Sequence, residues 1–317
     1  LIVAGEPYSV FSEIFFKSIK RYESKKPVIL IGSIELFNKQ MKSLGYNFMF
    51  NEISKDFKNS DLYNGKIINI INIDLNLKRT FDKITEKSNE YIHESFDVAL
   101  KILKKKKSLN LINGPISKKD FLKKKYRGVT EYLQFKTKTK NVAMLIYNKN
   151  FSVSPITTHI PVKDIYKKIK GSKILNNVKL ISNFYNRYLK FRPKIGITGL
   201  NPHCESNFTK SEEKNIIIPA IKKIKEKFKN IEGPLSTDSL FMKENLKNFN
   251  VVIGMYHDQV LTPAKALNGF NAINITLGLP FIRISPDHGT NNKMIGKNKS
   301  DPTSLIEAIK FLDHKCR

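Results

Sequence analysis

The sequence predicts an α/β protein built on a largely parallel sheet with helices packed on its faces. Three observations predict it. Short apolar runs alternate with amphipathic stretches from one end of the chain to the other. The segments richest in Gly, Pro, Asn and His cluster between residues 110 and 300, each directly after an apolar run; in open α/β sheets that is where ligands bind, beyond the carboxyl ends of the strands. At 317 residues the chain is long enough for two α/β domains, or one large one, with most of its apolar surface buried.

Taken in order, the apolar runs predict strands at 1–5, 28–32, 67–73, 109–113, 142–147, 153–158, 194–198, 251–255 and 272–276. Between them lie helices. Residues 12–22 carry an apolar stripe, 83–107 form a long amphipathic stretch, and Ile217, Ile221, Ile224 and Phe228 recur at helical spacing, with Pro219 expected to kink that last helix near its start. No internal repeat, low-complexity linker or Pro/Gly-rich hinge marks a domain boundary.

Composition narrows the class. No apolar run approaches the eighteen or so residues needed to cross a bilayer. The opening Leu1-Ile2-Val3-Ala4-Gly5 reads as a buried strand, not a signal peptide. Cys204 and Cys316 are far apart and form neither a disulfide framework nor a CxxC pair, which fits a reducing cytoplasm. The net charge of +28, from 56 Lys+Arg against 28 Asp+Glu, points on its own toward nucleic acid. Its distribution argues otherwise: lysines are spread over nearly every helix, and no basic block interleaves with aromatic residues of the kind that stacks bases. The run Lys104-Lys105-Lys106-Lys107 closes a helix, where cations complement the helix dipole. Neither a nucleic-acid nor a membrane partner is expected.

Three of the six histidines share one setting. His159 in Thr157-Thr158-His159-Ile160-Pro161, His203 in Gly199-Leu200-Asn201-Pro202-His203 and His257 in Met255-Tyr256-His257-Asp258-Gln259 each follow an apolar strand within five residues. Parallel strands put their carboxyl ends on one side of a sheet, so three such imidazoles can converge. Neutral imidazole is the commonest ligand for a divalent transition metal, and three ligands with open positions are the catalytic arrangement. A lone loop histidine would be read as merely hydrogen-bonded; the repeated setting favours metal binding. His93, inside a helix, and His314, near the basic C-terminus, lack the pattern. A second set suits an anionic substrate: Thr130, Lys265, Asn274 and Arg283. Lys and Arg hold phosphate or carboxylate by charge-assisted hydrogen bonds, while Thr and Asn fix orientation. Arg283 is the most telling, because arginine is scarce here and it ends an apolar run.

These strings, with Gly233-Pro234-Leu235, Thr237-Asp238, Asn274-Ile275-Thr276-Leu277-Gly278-Leu279-Pro280 and Asp287-His288-Gly289-Thr290, resemble the 4-hydroxythreonine-4-phosphate dehydrogenase family over nearly the whole chain. The resemblance implies two α/β/α three-layer domains with a cleft between them, of the isocitrate/isopropylmalate dehydrogenase type, the first from residues 1–130 plus 280–317 and the second from 131–279. It implies a homodimer with a shared active site. His159, His203 and His257 fall on the family's metal ligands, drawn from both subunits, for one divalent ion (Zn, Mg, Co or Mn). Thr130, Lys265, Asn274 and Arg283 fall on its substrate positions. His288, Gly289, Thr290 and Ile295 lie in a segment that looks like an adenosine-binding loop for NAD or NADP; no GxGxxG stands at a strand-to-helix turn, so a Rossmann-type site is not expected.

The implied reaction is NAD-dependent oxidation of 4-phosphooxy-L-threonine at C3, then decarboxylation to 3-amino-2-oxopropyl phosphate, in vitamin B6 synthesis. Asp238 and Lys265 are candidates for the catalytic base, as is a metal-held water. The chain departs from the family twice. Val129 stands where a histidine is usual, and Tyr8-Ser9-Val10-Phe11-Ser12-Glu13 replaces a small, Gly-rich stretch. A dehydrogenase of a related phosphorylated hydroxy acid is therefore the alternative. A phosphate acyltransferase needs no metal triad, and a basic nucleic-acid-binding protein needs a contiguous basic face; both are disfavoured.

Overall fold

The computed structural model describes residues 1–76, 79–117, 121, 126, 128–204, 211–269, 271–286 and 289–315. Cα proximity divides the chain into two compact units, Leu1–Lys136 with Pro280–Arg317, and Thr137–Leu279.

The first unit begins β1 (Ile2–Val3), α1 (Phe11–Arg21), β2 (Ile29–Gly32), α2 (Ile34–Ser43), β3 (Phe50–Glu52), β4 (Ile68–Asn72), α3 (Asn89–Lys105), β5 (Leu111–Asn113) and α4 (Val129–Thr137). The second runs β6 (Ala143–Tyr147), β7 (Ser152–Thr157), α5 (Ile165–Lys168), α6 (Gly171–Phe184), β8 (Ile195–Thr198), α7 (Ile218–Lys225), β9 (Ile231–Leu235), α8 (Thr237–Leu240), α9 (Lys243–Leu246), β10 (Val251–Tyr256), α10 (His257–Asn268) and β11 (Ile273–Leu277). The chain then returns to the first unit as β12 (Arg283–Pro286) and α11 (Thr303–Lys315).

Strands of the first unit lie in the order β3-β4-β2-β1-β5-β12, every neighbouring pair parallel. Those of the second lie in the order β11-β6-β7-β10-β8-β9. There β11, β6 and β7 pair antiparallel, and β7, β10, β8 and β9 pair parallel. The α/β class read from the sequence is thus the observed one. Ile29, Leu30, Ile31, Ile70, Val251, Val252 and Ile253 are buried along continuous apolar strands, as expected of strands covered on both faces.

Helix α1 forms because Phe11, Ile14, Phe15 and Ile19 recur on one face, and it ends with Lys20 and Arg21 at the negative end of its dipole. Phe11 and Phe15 pack against Phe37 of α2 at 6.4 and 6.0 Å between ring centroids. Each such ring contributes about 1.5–3 kcal/mol on burial. This cluster accounts for the unusual first loop: Tyr8, Val10 and Phe11 are buried in the unit's core. Gly5, at φ +78°, is still required, since a Cβ there would lie 2.5 Å from the Pro115 carbonyl oxygen.

Three strands escaped the sequence reading. β3 and β9 end their strand orders and are half-exposed, and β9 contains Gly233-Pro234, a pair tolerated where one edge of the ladder is open. β12 begins with a charged residue. Helix α3 starts at Asn89, six residues later than expected, after a 3-10 turn at Glu86–Ser88. Pro219 produces no kink in α7; it is the second residue of that helix, where its missing N–H costs nothing, and a π-helical turn at Glu213–Ile217 precedes it. Among the described residues no helix is long and apolar enough to cross a membrane.

Candidate active site

The sheet of the second unit explains why residues about fifty positions apart share a setting. β7, β10, β8 and β9 are consecutive neighbours, all parallel. His159 follows β7, His257 is the first residue after β10, His203 follows β8, and Asp238 follows β9. All four therefore stand beyond the carboxyl ends of adjacent strands. The His159 and His257 rings lie 5.9 Å apart between centroids. That is close to the roughly 5–6 Å adopted by two imidazoles bound to one ion through bonds of about 2.1 Å. His203 Nδ1 lies 3.9 Å from Asp238 Oδ2. Among the described residues of one chain, no three His, Cys, Asp or Glu side chains form a metal-sized group.

His257 Nδ1 sits 2.6 Å from Asp258 Oδ1. The carboxylate can only accept, so Nδ1 keeps its proton and donates it in a hydrogen bond, which leaves the Nε2 lone pair for a ligand, the usual outer-shell arrangement around a metal-binding imidazole. His203 and Cys204 both occupy the left-handed region, at φ +57° and +58°. Non-glycine residues are held there only by their surroundings, at about 1–2 kcal/mol each, and the anchor is visible. Glu213, 2 % exposed, accepts through Oε1 from the Leu200 and Asn201 amides at 2.7 and 2.8 Å, and through Oε2 from Asn201 Nδ2 at 2.7 Å. Burial pushes the Glu213 carboxyl up, but the donors on Asn201 and Leu200 outweigh it and hold the group below its ordinary 4.5.

A folded-state pKa below the unfolded one means that the stabilisation is complete above pH 4.5 and disappears as pH falls through the folded value. Glu213→Gln, which turns an amide donor toward Asn201 Nδ2 or a backbone N–H, is expected to lose about 1–3 kcal/mol at pH 7. Urea unfolding measured from pH 7 down to pH 3 should show the difference between the two proteins shrinking with acid.

Asp238 Oδ1 accepts from Ser236 Oγ at 2.5 Å and from the Ser239 amide at 2.7 Å. The Ser236 hydroxyl and the Ser239 amide, with His203 nearby, keep this exposed carboxyl below its ordinary range. Lys265 is exposed on α10. Asn274, on β11, has a buried Oδ1 that accepts no hydrogen bond among the described residues, an acceptor suited to a ligand.

In the first unit, β12 runs beside β5 with Arg283 opposite Leu111. Side chains two positions apart share a face, so Arg283 reaches Asn113: its Nε donates to Asn113 Oδ1 at 2.7 Å. Its Nη1 lies 3.5 Å from Thr130 Oγ1. The guanidinium is 3 % exposed; burial pushes it down to about 10, Glu131 opposes that, and it stays cationic at neutral pH. Val129 opens α4 one residue before Thr130. Of the residues expected to hold a dinucleotide, Thr290 accepts at its carbonyl from the Val10 amide at 3.2 Å, which ties its segment to the first loop. Gly289 is exposed and Ile295 half-buried, whereas His288 lies outside the described residues.

Sequence reasoning passed over Asn113, Glu213 and the roles of Asp258 and Gln259. The last two stand inside the Met255-Tyr256-His257-Asp258-Gln259 string, so the signal was the string itself. Glu213 had none, being one acid in a long polar stretch. The histidines outside the pattern are accounted for: His93 packs on Phe121 at 4.4 Å and meets Tyr132 Oη at 3.3 Å, and His314 is exposed in the last turn of α11.

Known proteins resemble this chain in sequence and in fold. A 4-hydroxythreonine-4-phosphate dehydrogenase of Sulfurihydrogenibium sp. (strain YO3AOP1) is 38 % identical over 98 % of this chain and 96 % of its own length. A D-threonate 4-phosphate dehydrogenase of Cupriavidus necator is 37 % identical over 59 % of this chain and 56 % of its own. The crystal structure of 4-hydroxythreonine-4-phosphate dehydrogenase from Klebsiella pneumoniae superposes with a TM-score of 0.87 at 26 % identity, over 100 % of this chain and 98 % of that one. The family model described as pyridoxal phosphate biosynthetic protein PdxA matches residues 23–312. With nearly its whole length covered by that model, the chain belongs to the PdxA family of pyridoxal phosphate biosynthetic proteins.

Proposed function

We propose that the chain is a 4-hydroxythreonine-4-phosphate dehydrogenase, using NAD or NADP and one divalent ion, and working as a cytoplasmic homodimer whose subunits share the metal's ligands. The observation that carries this reading is the row of His159, His257 and His203 beyond three adjacent parallel strands, in a chain of this family. The donor set fits a transition metal, with Asp258 already fixing the His257 tautomer. When bound, the ion supplies Lewis acidity at the substrate's C3 oxygen.

The chain's own groups do the rest. Arg283, desolvated and braced by Asn113 and Thr130, holds an anionic end of the substrate by charge-assisted hydrogen bonds. Asn274 Oδ1 accepts from the amine or a hydroxyl, and Lys265 adds a second cation. His288, Gly289, Thr290 and Ile295 hold the dinucleotide. The C3 hydroxyl proton would pass to a base, Asp238 or, in its neutral form, Lys265; the dinucleotide, when bound, would supply the hydride acceptor, and the β-keto acid so formed would lose CO2 to give 3-amino-2-oxopropyl phosphate.

A second reading has one observation behind it. Val129 puts an apolar side chain beside Thr130, so a polar contact usual in the family is lost, and D-threonate 4-phosphate carries a hydroxyl where 4-phosphooxy-threonine carries an amine. Both substrates should be assayed for NADH formation, with and without a chelator. We expect chelator-sensitive turnover, at least about tenfold more efficient with 4-phosphooxy-threonine. Val129→His should lower its KM by about tenfold to a hundredfold with kcat little changed, the pattern of a hydrogen bond made equally in ground and transition states. The opposite substrate order, or a KM raised by the histidine, would favour the threonate reading.

A further inference from the structure

Gln259 is the third residue of α10, buried and directed back toward the strand ends. Its amide is saturated. Oε1 accepts from the Met255 amide at 2.7 Å and from Thr198 Oγ1 at 3.0 Å; Nε2 donates to the Gly199 carbonyl at 2.7 Å and to Thr237 Oγ1 at 3.0 Å. Those are the two donors and two acceptor sites a primary amide possesses. The orientation is dictated by chemistry, because the Met255 N–H can only donate and the Gly199 carbonyl can only accept; the flipped amide would oppose like to like at both.

The four partners are distributed in a telling way. Met255 is two residues before His257. Thr198 and Gly199 end β8 and begin the loop that carries His203. Thr237 precedes Asp238. A Cβ on Gly254 would lie 2.3 Å from Val260 Cγ1 and 3.1 Å from Gln259 Oε1, so glycine is what lets the helix start close enough for this contact. We propose that Gln259 is a positioning residue that sets the mutual alignment of the three chain segments bearing His257, His203 and Asp238. All four bonds of its amide go to protein groups, and the assignment rests on the metal reading of those histidines given above.

The required groups are specific. Glutamate has the shape of glutamine but no Nε2 donors, and it would set a carboxylate against the Gly199 carbonyl; leucine removes all four bonds. The test uses the full chain and Co2+ or Zn2+ alone as probe, with affinity from chelator competition and geometry from the visible spectrum of the Co2+ form. The unsubstituted chain is expected to bind one ion per subunit. Gln259→Glu and Gln259→Leu should bind at least about tenfold more weakly, with a changed Co2+ spectrum. Thr237→Val, which removes one bond of the four and keeps the protein folded should the larger changes unfold it, should shift affinity a few-fold in the same direction.

A purely structural glutamine would lower the thermal midpoint yet leave the folded fraction's affinity and spectrum unchanged, and that result for Thr237→Val together with any folded Gln259 variant overturns the proposal. A wild-type chain that binds neither ion overturns the metal reading itself and the positioning role with it.

Discussion

Replacing His257 with alanine is expected to lower kcat/KM for 4-phosphooxy-threonine by about a thousandfold or more, and to abolish binding of a divalent ion at micromolar concentration. The size follows from what is removed. A bound ion that polarises a reacting oxygen contributes several kcal/mol to the transition state, and about 4 kcal/mol corresponds to three orders of magnitude. His257 is the best defined of the three imidazoles: its ring is 5.9 Å from that of His159, and Asp258 holds Nδ1 at 2.6 Å so that Nε2 is the free nitrogen. His314→Ala, at an exposed position in α11, serves as the control and should behave as wild type. Steady-state kinetics with metal analysis of the purified proteins decides the matter. A His257→Ala enzyme retaining more than a tenth of wild-type kcat/KM would remove the metal from the reaction.

Arg283→Met should cost both stability and substrate binding. The guanidinium is 3 % exposed, bonded to Asn113 and near Thr130, with Glu131 favouring its charge. Methionine fills much of the volume but leaves Asn113 Oδ1 without its donor and removes the positive charge that nearby Glu131 favours. Leaving a buried acceptor unpaired costs about 1–3 kcal/mol, a sizeable share of a typical domain's stability. Arg283→Lys keeps the charge but not the fork that reaches Asn113 and an oxyanion together. It should stay folded while KM rises about tenfold to a hundredfold. Denaturant unfolding of the methionine variant and the KM of the lysine variant separate the two roles, and unchanged values in both would leave Arg283 as filler.

Legibility in the sequence followed burial. Strands 29–32, 68–72 and 251–256 announced themselves because both faces are covered and every residue can be apolar. β3, β9 and β12 did not, because edge positions and a buried arginine break the run. The histidines were legible because parallel strands deliver their ends to one side, so a local feature, one imidazole after one apolar run, was enough. What supports them was not. Glu213 grips residues a dozen positions earlier, and Gln259 links segments separated by up to sixty residues. Such partners depend on which strands become neighbours, information that no local window holds. The bulky first loop read as a departure at the site, yet its rings belong to the core formed with α2.

The return of the chain to its first unit has a consequence for the order of events on the ribosome. Residues 1–136 cannot complete their sheet when they are made, because β5 awaits β12 on one edge and Asn113 awaits Arg283. The whole of Thr137–Leu279 must be made in between, which at about 5–20 residues per second takes roughly 10–30 s. For that interval β5 presents an unpaired, apolar edge, the kind of surface on which nascent chains associate wrongly. Thr137–Leu279 is a single continuous stretch whose six strands are all made before β12. Termination between Leu279 and β12 would therefore leave the six strands of Thr137–Leu279 complete and β5 without β12 at its edge.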